Sequence, residues 1–210
     1  PKPLLEIGGK PILETIIESF QQYGFINFVI TVNYMAIKIK EYFGDGSKYG
    51  VHIDYIEESE PLGTAGALSM LHERPEQAFF VMNSDLLTKV KMHSMLDYHL
   101  EHDVIATMGV REYTYQVPYG VVRIKNDYIE SIEEKPVHQF FVNSGIYVLD
   151  PACLDFVPKD RFFDMTTLFD NLIAEGQLTC SFPIMEYWLD IGRMQDFDQA
   201  RCDFETIFGG

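Results

Sequence analysis

Three features of this chain have the residue types and spacing for work on phosphates. The first is a pair of acids that each trail an apolar run. Asp85 closes "AFFVMNSD" (78–85), and Asp190 sits in "YWLDIG" (187–192) ahead of a glycine. A carboxylate at the carboxyl end of an apolar strand suits Mg²⁺, which takes one or two protein carboxylates and completes its shell with water and phosphate oxygens. Each acid also has a plainer reading, Asp85 as a cap and Asp190 as a turn residue. Two such acids, each ending its own strand, exceed what turns alone would supply.

The second feature is "EPLGTAGA" (60–67), between a strand-like and a helix-like run. Gly63 lets a flat ligand approach backbone amides, Gly66 and Ala67 keep the first helical turn slim, and a helix N-terminus favours negative groups. A tight, closely packed turn explains the same residues. The third is Lys135 in "ESIEEKP", where Pro136 fixes the exit from an alternating run. The lysine is either a solvated edge charge that discourages strand pairing or a point charge aimed at phosphate.

The elements that must position these residues alternate along the chain. Ile12, Leu13, Ile16, Ile17 and Phe20 share one helical face that ends at Tyr23 and Gly24. "FINFVITV" (25–32) reads as a buried strand, "MAIKIKEYF" as a helix stopped by Gly44, Asp45 and Gly46, and "VHIDYIEE" (51–58) as a second strand. "TAGALSMLHE" predicts a helix, 78–85 a third strand, and 91–102 another helix. This order predicts parallel, right-handed crossovers. Beyond 110 the texture changes. Asn126 and Asp127 form the turn of an antiparallel hairpin, "FFVNSGIYVLD" is a strand, and helices follow near 151–156, 165–175 and 193–208. The expected fold is α/β, Rossmann-like and doubly wound with a mixed sheet. Residues 1–210 form one domain, with 1–110 mainly the nucleotide half and 111–210 mainly the sugar-phosphate half.

Composition narrows the partners. A net charge of −16 argues against nucleic acid, though a few placed cations and a metal hold one phosphate cluster whatever the global charge. No apolar run reaches the roughly 18 residues a membrane span takes. Cys153, Cys180 and Cys202 are widely spaced and in no ligand pattern, which points to reduced thiols and the cytoplasm. "IGGKPIL" is not a Walker A loop, because proline follows the lysine. His93, His99 and His102 lack the cysteine or paired carboxylate that a zinc site would add.

In order along the chain, "PKPLLEIGGKPIL", "EPLGTAGAL", "NSDLLT", "YGVV", "EEKP", "VNSGIYVLD" and "WLDIG" resemble the signature of the sugar-phosphate nucleotidyltransferases, and they span almost its whole length. The resemblance implies a reaction between a nucleoside triphosphate and a sugar 1-phosphate, giving an NDP-sugar and pyrophosphate with Mg²⁺ as cofactor and no covalent enzyme intermediate. It places Lys2 on the triphosphate, Asp85 and Asp190 on the metal, and Lys135 on the sugar phosphate. Gly120, Glu134 and Asn143 would face the sugar, and Glu60, Leu62 and Gly63 the base. "EPLGTAGA" is closer to guanylyltransferases acting on mannose-, heptose- or amino-sugar phosphates than to thymidylyl- and uridylyltransferases. A homo-oligomer is compatible with the resemblance, and so is a non-catalytic, nucleotide-sugar-sensing subunit of the same fold. In the family, "PKP" ends a Gly-x-Gly-Thr-Arg loop that follows the first strand. Residues 1–210 alone, lacking both, are expected to be poorly soluble and inactive.

Overall fold

The computed structural model describes residues 2–209; Pro1 and Gly210, the ends of the expected domain, lie outside the described residues. After a 3₁₀ turn at Lys2–Leu4, β1 (Glu6–Ile7) and β2 (Lys10–Pro11) pair antiparallel. Gly8 and Gly9 turn the chain between them at φ 64° and 82°. Gly8 has a second reason to lack a side chain, since a Cβ there would lie 1.8 Å from the Phe204 ring. The glycine pair of "IGGKPIL" is a tight hairpin under an aromatic ring.

The amphipathic reading of the first helix holds. α1 (Ile12–Gln22) buries all five expected apolar residues. They divide into two ridges. Ile12, Ile16 and Phe20 pack with Leu86, Met95 and Ile146, while Leu13 and Ile17 pack with Val32, Ile39 and Phe43. Spacings of four residues put each set in line along the helix, so one helix serves two cores.

Those two cores belong to separate sheets. β3 (Asn27–Val32) and β4 (His52–Glu57) form a parallel pair, joined by α2 (Ala36–Phe43). Next come α3 (Gly63–Gly66), β5 (Phe79–Met82), β6 (Leu86–Thr88) and α4 (Met92–His102). β7 (Ala106–Gln116), the hairpin β8 (Gly120–Lys125) and β9 (Tyr128–Glu134), and β10 (Val137–Leu149) follow. α5 (Met165–Ala174), β11 (Thr179–Pro183), β12 (Trp188–Asp190) and α6 (Met194–Phe208) complete the chain. The larger sheet has the order β11-β7-β10-β5, with β11 parallel to β7 and the other two pairings antiparallel.

The α/β fold and the mixed sheet agree with expectation, and the strands fall into separate ladders. Among the described residues, β3–β4 makes no ladder with the larger sheet, and β5 pairs with antiparallel β10. The strand expected to be fully buried differs. β3 alternates, with Val29 48% exposed, because only one of its faces packs on helices. The helix expected from "TAGALSMLHE" shrinks to the four residues of α3 and a 3₁₀ turn, Ala67–Met70. The hairpin turn is as expected, with Asn126 and Asp127 at φ 48° and 67°. No helix among the described residues is long and apolar enough to cross a membrane.

Phe20 joins the two sheets. Its ring meets Phe28 of β3 at 6.1 Å and Phe80 of β5 at 5.2 Å, both edge to face. Phe20→Ala should therefore cost about 3–5 kcal/mol in urea unfolding, the usual range for an emptied buried aromatic site. Tyr128→Ala, at a ring 79% exposed, should change stability by less than about 0.5 kcal/mol. Equal effects of the two would mean that Phe20 does not join the cores.

Candidate active site

A short antiparallel ladder brings the two acids together. β12 runs against β6 with Asp190 opposite Leu86, and the Ile191 amide donates to the Asp85 carbonyl at 2.9 Å. Leu86, Leu87 and Ile191 are buried, so the apolar residues beside each acid anchor the ladder and the acids are left at its end. Asp190 ends its strand as expected. Asp85 does not: β5 stops at Met82, and Asp85 lies in the turn before β6. Just past that strand the Asn83 backbone amide still donates to the Gly145 carbonyl of β10 at 2.9 Å, which holds the start of the turn against the larger sheet.

Asp190 senses Asp85. The Asp190 carboxyl is held above its ordinary pKa, first by burial and then by the neighbouring Asp85 carboxylate, with Lys2 acting in the opposite direction. The Lys2 amine donates to Asp85 Oδ2 at 3.0 Å. Two acids and a lysine thus occupy one corner. The described residues contain no group of three or more His, Cys, Asp or Glu side chains placed to hold a metal. A pair of adjacent carboxylates, one of them raised in pKa by the other, instead fits a hard cation that takes its remaining ligands from phosphate and water.

The bulge of β10 backs this corner. Between Asn143 and Tyr147 the β7–β10 register shifts. Gly145 has φ 73°, and a Cβ there would lie 2.7 Å from the Asn83 side-chain nitrogen Nδ2. The Asn143 side chain is held at both ends, its Oδ1 accepting from the Gly145 amide at 2.9 Å and its Nδ2 donating to the Tyr147 hydroxyl at 2.6 Å. The Trp188 indole donates to the Ser144 carbonyl at 2.8 Å and ties the bulge to β12. Sequence reasoning missed Tyr147 and Trp188 as anchors; an Asn followed two residues later by Gly in an otherwise apolar strand was the available signal for a bulge.

The remaining candidates lie in two other places. Glu60, Leu62 and Gly63 form the turn after β4, where Gly63 adopts φ 79°. The helix N-terminus expected there as an anion site is already used, because the Thr64 amide donates to Asp164 Oδ1 at 3.1 Å. Gly120 and Glu134 face each other across the β8–β9 hairpin, and a Cβ on Gly120 would lie 2.9 Å from Glu134 Oε2. Lys135 adopts φ 47°. It stands exposed where the hairpin returns to the body, a corner closed by the Val117 amide on the Pro136 carbonyl at 3.0 Å. Among the described residues, no hydrogen bond or ion pair joins Gly120, Glu134 or Lys135 to the acid pair. His99 is buried against the Thr107 hydroxyl at 2.8 Å.

The profile of the protein family described as "Nucleotidyl transferase" matches residues 1–206. Among curated proteins, the mannose-1-phosphate guanyltransferase of Candida albicans is 32% identical over 219 aligned residues, covering 98% of this chain and 59% of its own length. That of Yarrowia lipolytica is 34% identical over 214 residues, covering 96% of this chain and 58% of its own. The chain therefore spans less than two thirds of these relatives. Among solved structures, HddC from Yersinia pseudotuberculosis, complexed with GMP-PN, superposes with a TM-score of 0.73 at 26% identity, covering 97% of this chain and 90% of that one.

The raised Asp190 carboxyl has a consequence for stability. A carboxyl whose folded pKa lies above its unfolded value ionises at a cost in the folded protein. That cost is absent below the unfolded carboxylate range and complete once pH has risen through the folded value. In EDTA near neutral pH, Asp190→Asn should therefore melt at or above the parent, and the difference should vanish as pH falls through the carboxylate range. Excess Mg²⁺ should raise the melting temperature of the parent alone. A parent indifferent to Mg²⁺ would count against a shared cation.

Proposed function

We propose that this chain, which belongs to the nucleotidyl transferase family, carries the reacting centre of a sugar-1-phosphate guanylyltransferase. An oxygen of the sugar 1-phosphate attacks the α-phosphorus of GTP. The bond from that phosphorus to the β-bridging oxygen breaks, and GDP-sugar and pyrophosphate leave. The single observation that carries this reading is the pairing of Asp85 with Asp190 beside Lys2, whose amine lies 3.0 Å from Asp85. An uncharged ligand would not require two adjacent carboxylates and a lysine at one corner. The preference for guanine follows the names of the curated relatives and the GMP-PN complex of HddC.

The roles divide between the halves. Glu60, Leu62 and Gly63 lie against the base, and Lys2 leaves Asp85 for the triphosphate. Asp85 and Asp190 hold Mg²⁺, which when bound neutralises charge that builds on the reacting phosphates. Asn143, fixed at both ends of its amide, offers its remaining N–H to the sugar. Gly120 gives the sugar room beside Glu134, and Lys135 grips its phosphate. None of these groups forms a covalent bond to substrate, so the rate comes from alignment and charge neutralisation. Retention of both acids disfavours a purely sensing role.

Pyrophosphate release by the protein at its natural length, rather than by residues 1–210 alone, is the test. With mannose 1-phosphate first in a panel of sugar 1-phosphates, GTP should outpace UTP, CTP, ATP and dTTP. Leading activity with UTP or dTTP would overturn the base assignment. Lys135→Ala should raise KM for the sugar phosphate by roughly one to two decades, the worth of one charge-assisted hydrogen bond, and leave KM for GTP unchanged. An unaltered sugar-phosphate KM would return Lys135 to the role of a solvated edge charge.

A further inference from the structure

The turn that bears Gly63 is held from a hundred residues away. Asp164 occupies the position just before α5, yet its carboxylate makes no hydrogen bond to its own helix. Its Oδ1 accepts instead from the Thr64 amide at 3.1 Å and from the Thr64 hydroxyl at 3.3 Å. The Thr64 oxygen in turn accepts from the amide of Met165, the first residue of α5, at 2.8 Å. The two helix starts therefore cap each other, each satisfying an amide that its own helix leaves open.

The backbone completes the clasp. The Phe163 amide donates to the Leu62 carbonyl at 2.8 Å, and the Phe163 carbonyl accepts from Ala65 and Gly66 at 3.0 and 2.9 Å. The fit leaves no slack, since a Cβ on Gly63 would lie 2.7 Å from the Phe163 carbonyl oxygen and 2.8 Å from Asp164 Oδ1. Ala65, Phe163 and Met165 are buried in one apolar cluster behind it. A turn held by this many directed contacts has one conformation to offer a flat ligand.

We propose that Asp164 is a positioning residue for the nucleotide: acting through Thr64, it fixes the turn of Glu60, Leu62 and Gly63 in the shape that receives the base. This rests on the guanylyltransferase reading above. It also assigns a nucleotide-side role to a residue of the half assigned mainly to sugar phosphate. The acceptor atom does the work, so charge at position 164 is not required.

Five proteins, each at the protein's natural length rather than as residues 1–210 alone, test it: the parent, Asp164→Ala, Asp164→Asn, Thr64→Val and Thr64→Ser. Asp164→Ala and Thr64→Val should each raise both KM and Kd for GTP about tenfold, the worth of one helix cap, with sugar-phosphate KM within about twofold of the parent. Asp164→Asn keeps an acceptor and Thr64→Ser keeps a hydroxyl, so both should stay near the parent. Hydrogen exchange without nucleotide should speed up at residues 64–66 in Asp164→Ala and Thr64→Val only. Asp164→Asn as damaged as Asp164→Ala, or a loss that falls on the sugar-phosphate KM, would mean that the carboxylate touches substrate, and would overturn the proposal. So would a GTP-binding parent whose Asp164→Ala variant binds and exchanges as it does. A parent that binds no nucleoside triphosphate would instead fail the functional reading itself, and this inference with it.

Discussion

Two carboxylates that repel each other are held together, and much of the structure works to keep them so. The β6–β12 ladder fixes Asp190 opposite Leu86 and hands the Asp85 carbonyl to Ile191. Unsupported, a ladder this short would slip to relieve the charges. It is kept in register by what lies behind it: Leu86, Leu87 and Ile191 in the main core, α6 packed beside β12, and the Trp188 indole fastened to Ser144 on the neighbouring β10 bulge. Apolar burial is proportional to area and carries no direction. It supplies force, while the hydrogen bonds of the ladder and the bulge supply the register.

The turn proposed to receive the base is built from exchange. The turn after β4 is too short a helix to cap itself, and so is the 3₁₀ turn that follows it. Asp164 and Thr64 each complete the other's segment. Gly63 and Gly66 are what make this possible, because side chains there would meet the 161–164 segment at 3.0 Å or less. The glycines serve the approach of one chain segment to another as much as that of any ligand.

This explains where the sequence was legible and where it was not. The helical face of α1, the Asn126 and Asp127 turn, and the acid at the end of "YWLD" are local patterns, and local patterns survive folding. β5 next to antiparallel β10 could not be read from alternation of strand and helix, because that pairing depends on a strand more than sixty residues later. The truncated α3 was no more legible: "TAGALSMLHE" reads as one helix by its residue types, yet the α-helical turn gives way to a 3₁₀ turn at Ala67–Met70. Nor did any sequence signal give Lys135 its left-handed backbone, a conformation uncommon outside glycine, asparagine and aspartate. It arises where β9 must turn back into β10 with proline fixing the next residue.

Charge sets the last constraint. The chain carries −16, and both proposed reactants are anions, so its general field opposes their approach. Screening confines that field to about 8 Å at physiological ionic strength, which leaves the decision to neighbours. Several cations are already spent: Lys40 on Glu57, Arg74 on Asp155, and Arg111 on the carbonyl of Glu186. Lys2 is differently placed. It is half exposed, and its partner Asp85 is the acid that also raises Asp190. An arriving phosphate that takes Lys2 from Asp85 leaves two carboxylates without a counter-charge, the condition under which a divalent cation binds them most strongly. On the proposed function, triphosphate and cation would then favour each other's binding through one lysine, and an acidic protein would hold a substrate of its own sign.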